Sequence, residues 1–510
     1  MRRTPSAMLL TMVLAVLAAC TNAEAEPPAP QPPDGQERRI TVWSRADSTR
    51  SVATTKRIIA GFTAATGIKV DLVPVGPARL YELVERAGST STTASTSPSP
   101  TPSSTALPDV IGALSLASAH ALAAGGLLDA SAASHVVDEL GRDTFRDRAL
   151  QLTMRDGEQI AVPSHTWTQL LVYRKDIFAK ADLPVPDTFT KIRKAAKKID
   201  NGDRAGIALP TTTDGTATTR IFEHLALANR CRLVSDAGTA LGSDNCVDTF
   251  DFYAELASHS PSGGQDAETA REAYLAGRAA LILAPSGILD DLAGLDAASP
   301  PTCGPCKDDP AFLAKNSGIV TTIRGSHGVR PVQYGGISSW AITATADTEA
   351  ATQFVRYVMD DGYLEWLGTA PGARFPVRTG TGEDPEKFAA AWSSLPAGAK
   401  NTASLADLYP LTVLDLLRTS PDNLHWWALR RGEGSPPEWS MDERQAALVA
   451  AVRGEHPIAE ALNQLTRGKL DPAAAAKQAN QQVEALRSDT EGPPSTPEGH
   501  QGSPGAAAPG

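Results

Sequence analysis

The sequence predicts an α/β fold arranged as two lobes with mainly parallel sheets. Two observations carry this. The chain has 510 residues, more than one hydrophobic core usually organises. Short apolar segments with strand character alternate along it with helical segments of 3.6-residue periodicity, the pattern of layered α/β proteins. No internal repeat is found.

The elements follow in order. Ile40-Thr41-Val42-Trp43 reads as a short apolar strand. Thr54 to Thr66 then reads as a helix, with Ile58, Ile59, Phe62 and Ala65 on one face and Gly67 as its stop. Ile68, Val70, Leu72 and Val73 form the next strand, and Leu107-Pro108-Asp109-Val110-Ile111 opens another, followed by a helix from Ser118 to Ala124. In the next helix Phe189, Ile192, Ala196 and Ile199 share a face, and Lys191, Arg193, Lys194, Lys197 and Lys198 form its solvated side. Gly206 to Leu209 and Ala280-Leu281-Ile282-Leu283-Ala284 read as buried strands. Asp347 to Met359 is a helix with Phe354, Val355 and Val358 inward, and Asp471-Pro472 caps a final one.

Three stretches carry no core. Glu24 to Gln36 is Pro-rich, Gly88 to Thr105 is almost entirely Ser, Thr and Pro, and Ser488 to Gly510 is polar and Pro-rich; such compositions read as tether, disordered insertion and disordered tail. The N-terminus is of a different kind. Arg2-Arg3 precedes an apolar run from Ala7 to Ala19, too short to span a bilayer and suited to a signal h-region. Leu17-Ala18-Ala19-Cys20 closes it and resembles a bacterial lipobox, in which the cysteine is acylated and becomes the mature N-terminus. The reading is a lipoprotein signal peptide at 1–19 and a tether at 20–37, with the protein held by lipid on the extracytoplasmic face of the cell membrane.

With Cys20 acylated, four of the five cysteines remain. The expected bridges are Cys231 with Cys246 and Cys303 with Cys306, in a disulfide-permissive compartment. Cys303-Gly304-Pro305-Cys306 also matches a thioredoxin-type redox motif, but Ser299-Pro300-Pro301-Thr302 before it and Lys307-Asp308-Asp309-Pro310 after it read as loop. Four cysteines also admit a zinc site, a weaker reading. The net charge of −11 argues against a nucleic-acid partner. There is no phosphate loop, no G-x-S-x-G elbow and no H-E-x-x-H pair. Asp200-Asn201-Gly202-Asp203 lacks the terminal Glu of a calcium loop and reads as a turn. No catalytic residue, metal or cofactor is expected, and the chain is not read as an enzyme.

Several segments line up in a recognisable order. They are Ile40-Thr41-Val42-Trp43-Ser44, Ala65-Thr66-Gly67-Ile68-Lys69-Val70, Leu107-Pro108-Asp109-Val110 and Ala123-Ala124-Gly125-Gly126-Leu127-Leu128. Ala161-Val162-Pro163, Leu171-Val172-Tyr173-Arg174-Lys175-Asp176-Ile177-Phe178 and Ala181-Asp182-Leu183-Pro184 follow. Tyr274-Leu275-Ala276-Gly277-Arg278-Ala279-Ala280-Leu281, Tyr334-Gly335-Gly336 and Trp340-Ala341-Ile342 complete the series. From Arg39 to Leu486 the chain resembles the family 1 extracellular solute-binding proteins of ABC importers, the sugar-binding family that includes maltose-binding protein. The resemblance implies a two-lobed type II periplasmic-binding-protein-like fold with a hinge and a ligand cleft between the lobes. Crossings are expected near His165, Pro331 and Val377. Lobe one is then 38–165 and 331–376, with the disordered insertion at 88–106. Lobe two is 166–330 and 377–487, and the tail is 488–510. The implied partners are a small polar solute, expected to be a carbohydrate, and the permease subunits of the transporter; a monomer is expected. A ligand-sensing subunit of a signalling system and an extracytoplasmic glycosidase are the alternatives.

Ligands of open α/β sheets sit beyond the carboxyl ends of strands, which selects the candidate contacts. Arg45 and Asp47 follow the first strand, and Ser115 follows the strand that starts at Asp109. Trp167, at the first crossing, matches a ligand-contacting position of the resembling family and offers a ring to a sugar's apolar face. His165 reads as a hinge hydrogen-bonder. Thr213 and Asp214 end the Thr211-Thr212-Thr213-Asp214 loop. Ser286 lies where the family commonly carries a stacking Trp that this chain lacks. Trp340, Arg374 and Trp426, in the Trp426-Trp427 pair, are the candidates that compensate for it.

Overall fold

The computed structural model describes residues 37–46, 48–76, 79–80, 82–84, 86, 107–213, 216–235, 238–296, 299–396, 403–425 and 443–491. The signal peptide, Cys20, the 88–106 insertion, Asp47, Asp214 and Trp426 lie outside the described residues. The final helix, Pro472–Glu491, continues through the first residues of the expected tail, with Asp471 Oδ1 accepting from the Ala474 amide at 2.8 Å.

The strands, in chain order, are β1 (Arg39–Arg45), β2 (Lys69–Val75), β3 (Val110–Ser115), β4 (Met154–Arg155), β5 (Glu158–Gln159), β6 (Val162–Arg174) and β7 (Ala205–Ala208). They continue with β8 (Val234–Ser235), β9 (Gly238–Thr239), β10 (Ala279–Pro285), β11 (Ser317–Val320), β12 (Gln333–Ile342), β13 (Phe375–Pro376) and β14 (Leu424–His425). One sheet has the path β2-β1-β3-β12-β6-β10-β7. Its flanks are parallel, β2 and β3 against β1 at one end and β7 against β10 at the other. Its centre is antiparallel, because β6 and β12 run opposite to each other and to their flanking neighbours.

The 13-residue β6 joins the two halves. Its first part, Val162 to Thr168, pairs with β12, and its second part, Gln169 to Tyr173, pairs with β10. Only Trp167 and Tyr173 along it are not fully buried. Separate apolar clusters form on the two halves. Val42, Phe62, Val110, Trp340, Phe354 and Trp366 fill one. Ile207, Phe222, Phe250, Phe252 and Leu281 belong to another, and Val172, Tyr274, Ile282 and Trp392 to a third. Phe388 belongs to the first cluster and Phe375 to the third, and Tyr334 and Ile337 share a cluster with Leu116 and with Leu448, Val449 and Val452 of the Glu443–Glu455 helix.

The helices form for local reasons that the sequence carries. Ser48 caps Thr49–Thr66 through a capping box with Ser51, so this helix starts earlier than its apolar periodicity indicates. Gly67 ends it at φ +78°, a conformation favourable only for glycine. Thr188 caps Phe189–Ile199, whose Lys191 and Arg193 pair with Asp187 and Glu255 on the solvent side. Asp200 and Asn201 accept from the Gly202 and Arg204 amides, which makes this segment a turn.

Both expected disulfides are present, Cys231–Cys246 and Cys303–Cys306. Cys303 precedes a single 3-10 turn, Gly304–Lys307, and both sulfurs belong to buried residues. The two bridges close loops of very different length, with sequence separations of 15 and 3. Loop-closure entropy therefore assigns about 3 kcal/mol to the first and less to the second. Replacing Cys231 and Cys246 together by Ala is expected to lower the urea midpoint well beyond the same change at Cys303 and Cys306.

Candidate ligand-binding site

The helix Ala217–Ala228 packs Ile221, Phe222 and Leu225 into the core. Arg220, Glu223 and His224 lie three and four residues apart, so they share one side of it. There they meet β6 and β12. The Arg220 guanidinium carbon lies 5.3 Å from the centre of the Trp167 ring, a cation–π distance. Tyr334 of β12 stands edge-on to Trp167 with ring centres 6.0 Å apart, and His224 stacks on Tyr334 at 5.9 Å. The Tyr334 hydroxyl donates to Glu223 Oε2 in a short hydrogen bond, and Arg453 Nη2 donates to the same oxygen at 3.2 Å. Gly336 is required here by space: a Cβ on it would stand 2.9 Å from Trp167 Nε1.

Burial sets the protonation states. It holds the Tyr334 phenol well above its ordinary value, and the Glu223 charge pushes the same way. Burial lowers His224 to about 4. His165 is pushed well down by burial and then by the Arg374 and Arg45 charges. The His165 imidazole is therefore neutral at pH 7 and shares a hydrogen bond with Ser164 Oγ at 2.9 Å.

The expected contacts divide into three groups. Arg45 at the end of β1 is half-buried, close enough for its charge to act on both His165 and Arg220. Trp167 is half-buried beside Arg220, and Thr213 is exposed. Ser115 caps the Leu116–Ala124 helix, its Oγ accepting from the Ser118 amide at 3.2 Å. Three other residues are enclosed. Trp340 has no exposed surface; it packs against Phe354 and Trp366 with ring centres 5.9 and 5.0 Å away. Ser286 is fully buried, and its amide donates to the Thr168 carbonyl at 2.8 Å. Arg374 is 3% exposed, lies 3.9 Å over the Trp366 ring and donates to the Trp366 carbonyl at 2.8 Å. Asp47, Asp214 and Trp426 lie outside the described residues.

The residues that sequence reasoning missed are Arg220, Glu223, Tyr334 and Arg453. A usable signal existed. Arg220 and Glu223 stand three residues apart on a helix whose other residues are largely apolar or small, and a charged pair on such a helix needs partners.

A second acidic feature follows β10. Burial raises Asp290 to about 7, offset in part by the Gly372 amide and Arg50. Burial also raises Asp291 to about 7, against the pull of Arg271. A carboxyl whose folded value lies above its unfolded value of 3.8 stabilises the fold at low pH. That contribution is lost as pH rises from about 4 to about 7. Asp291→Asn is expected to flatten this part of the stability profile and to raise the melting temperature at pH 8 more than at pH 4, read by thermal denaturation across pH.

Among the described residues no group of His, Cys, Asp and Glu could hold a metal ion, and no helix is long and apolar enough to cross a membrane.

With this geometry in view, the model of the bacterial extracellular solute-binding protein family matches residues 46–365. The chain belongs to that family. A protein of Escherichia coli (strain K12) named as an ABC transporter periplasmic-binding protein, YcjN, is 28% identical over 260 residues. That match spans 49% of this chain and 56% of the relative. Among solved structures, an ABC transporter solute-binding protein from Agrobacterium radiobacter K84 in complex with ribitol aligns with a TM-score of 0.63 at 20% identity, over 88% of this family member and 98% of that chain. Maltose-bound MalE3 of T. maritima aligns with a TM-score of 0.63 at 16% identity, over 88% and 99%. The GacH receptor of Streptomyces glaucescens, solved unliganded and with acarbose, aligns with a TM-score of 0.62 at 17% identity, over 89% and 99%. At these identities the likeness establishes the fold: the two-lobed α/β architecture of type II periplasmic-binding proteins.

Proposed function

We propose that this solute-binding protein is the lipid-anchored receptor of an ABC importer, capturing a polar solute of the sugar or polyol class and delivering it to the membrane permease. Membership of the extracellular solute-binding family carries the reading. The ribitol, maltose and acarbose bound by structures of the same fold support the solute class. The lobes are assigned to 38–165 with 331–376 and to 166–330 with 377–487. The solute lies between them against Trp167 and Arg45, with Asp47 and Thr213 as further contacts. Ligand that touches both lobes stabilises the closed arrangement, because only that arrangement makes both sets of contacts. The chain catalyses nothing in this reading, and Cys20 carries the anchor.

A thermal-shift screen of the full-length protein against sugars and polyols tests it. A solute at 100 times its dissociation constant adds about 2.7 kcal/mol of apparent stability. At least one member is expected to raise the melting temperature saturably, and Trp167→Ala is expected to abolish that rise, measured against the variant's own unliganded melting temperature. Turnover of a glycan, or an undiminished rise in Trp167→Ala, would contradict the reading.

A further inference from the structure

A narrow recess lies behind Trp167, lined by Thr216, Thr219, Arg220, Glu223, Arg453 and His456. We propose that this recess, which has room for about one water-sized atom, receives one oxygen of an anionic group held at Arg220, so that the captured solute is a sugar or polyol bearing a carboxylate or a phosphate. The proposal rests on the receptor reading above and names the chemistry of its ligand.

Four observations converge on an anion. First, the recess opens on the N-terminus of the 12-residue helix Ala217–Ala228, whose N-cap Thr216 makes no side-chain hydrogen bond to the first turn. Helix N-termini attract negative charge through their free amides and dipole. Second, Thr219 is only 3% exposed and its Oγ1 has no partner; a hydroxyl buried in this way awaits a ligand or water atom. His456 Nδ1, of another residue lining the recess, is also unpartnered.

Third, among the described residues no carboxylate lies within ion-pair distance of the Arg220 guanidinium, which is held over Trp167 instead. Fourth, the single carboxylate in the recess is already engaged: Glu223 Oε2 accepts from both Tyr334 and Arg453. Burial first, and then the Arg453 and Arg45 charges, lower the Arg220 pKa, and Tyr334 and Glu223 offset this only in part. A neutral hydroxyl would add no charge to meet the guanidinium, whereas a carboxylate or phosphate meets it with a charge-assisted, bidentate pair. Because one guanidinium borders both the recess and the indole, a solute lying against Trp167 brings its charged end to Arg220.

Calorimetric titration of the full-length protein tests this with matched pairs: glucose with glucuronate, galactose with galacturonate, and glucose with glucose 6-phosphate. At least one charged member is expected to bind about tenfold or more tightly than its neutral parent, with a preference that shrinks at high salt. The pair with the larger ratio identifies carboxylate or phosphate as the group. Arg220→Gln and, independently, Thr219→Val are expected to reduce the ratio towards one, and Arg220→Lys to retain part of it. Equal or tighter binding of the neutral parents overturns the proposal while leaving a neutral-sugar receptor standing. A preference that survives both Arg220→Gln and Thr219→Val overturns it as well. Absence of binding by every member, charged and neutral, counts against both readings.

Discussion

Trp340→Ala is expected to lower the unfolding free energy by about 3–5 kcal/mol, the cost of emptying a buried indole site. The ring is fully enclosed, packed against Phe354 and Trp366, and faces Gly112, where a Cβ would stand 2.3 Å from the ring. No backbone shift fills such a space cheaply, because β12 is paired with β6 from Gly335 to Trp340 and with β3 from Ser338 to Ile342. Urea denaturation reads the loss. A change below about 1 kcal/mol, within the range of surface substitutions, would return Trp340 to the ligand-contacting role that its sequence position first implied.

Glu223→Ala should be comparably damaging, for a different reason. Glu223 is 3% exposed and anchors both the Tyr334 hydroxyl and Arg453. Truncation leaves a half-buried guanidinium and a buried phenol without their acceptor, and breaking a buried pair from one side costs about 3–5 kcal/mol. Glu223→Gln keeps an acceptor for Tyr334 and should lose less. Arg453→Met in the Glu223→Gln background should restore part of the loss, because it removes the charge that has lost the Glu223 carboxylate. A double-mutant cycle read by urea denaturation measures this coupling, and additivity of the two substitutions would mean that the Glu223–Arg453 pair is not a unit.

Local chemistry made much of the fold legible. The strand at Ile40–Trp43, the helices around Ile58 and Phe354, the Ala280 strand, Gly67 as a helix stop and Asp471-Pro472 as a helix start all depend on neighbours within a few residues. The disulfides were legible because both pairings close short segments. What escaped depends on distance along the chain. Glu223 meets Tyr334 across 111 residues and Arg453 across 230, and nothing local announces such partners. The enclosure of Trp340 escaped for a related reason. β12 is buried on both faces, so the alternation that separates core from solvent positions in a one-sided strand is missing. Trp167 sits on a strand buried almost throughout, and its half-exposed state is set by Gly336 and Arg220 on other elements.

The clamp itself is the central claim, and small-angle X-ray scattering on the full-length protein with and without saturating solute tests it most directly. Closure of the two lobes predicts a smaller radius of gyration in the presence of any sugar, sugar acid or polyol that binds saturably, and no change in the Trp167→Ala variant at the same concentration. An unchanged radius of gyration with the site demonstrably filled would contradict closure around the solute.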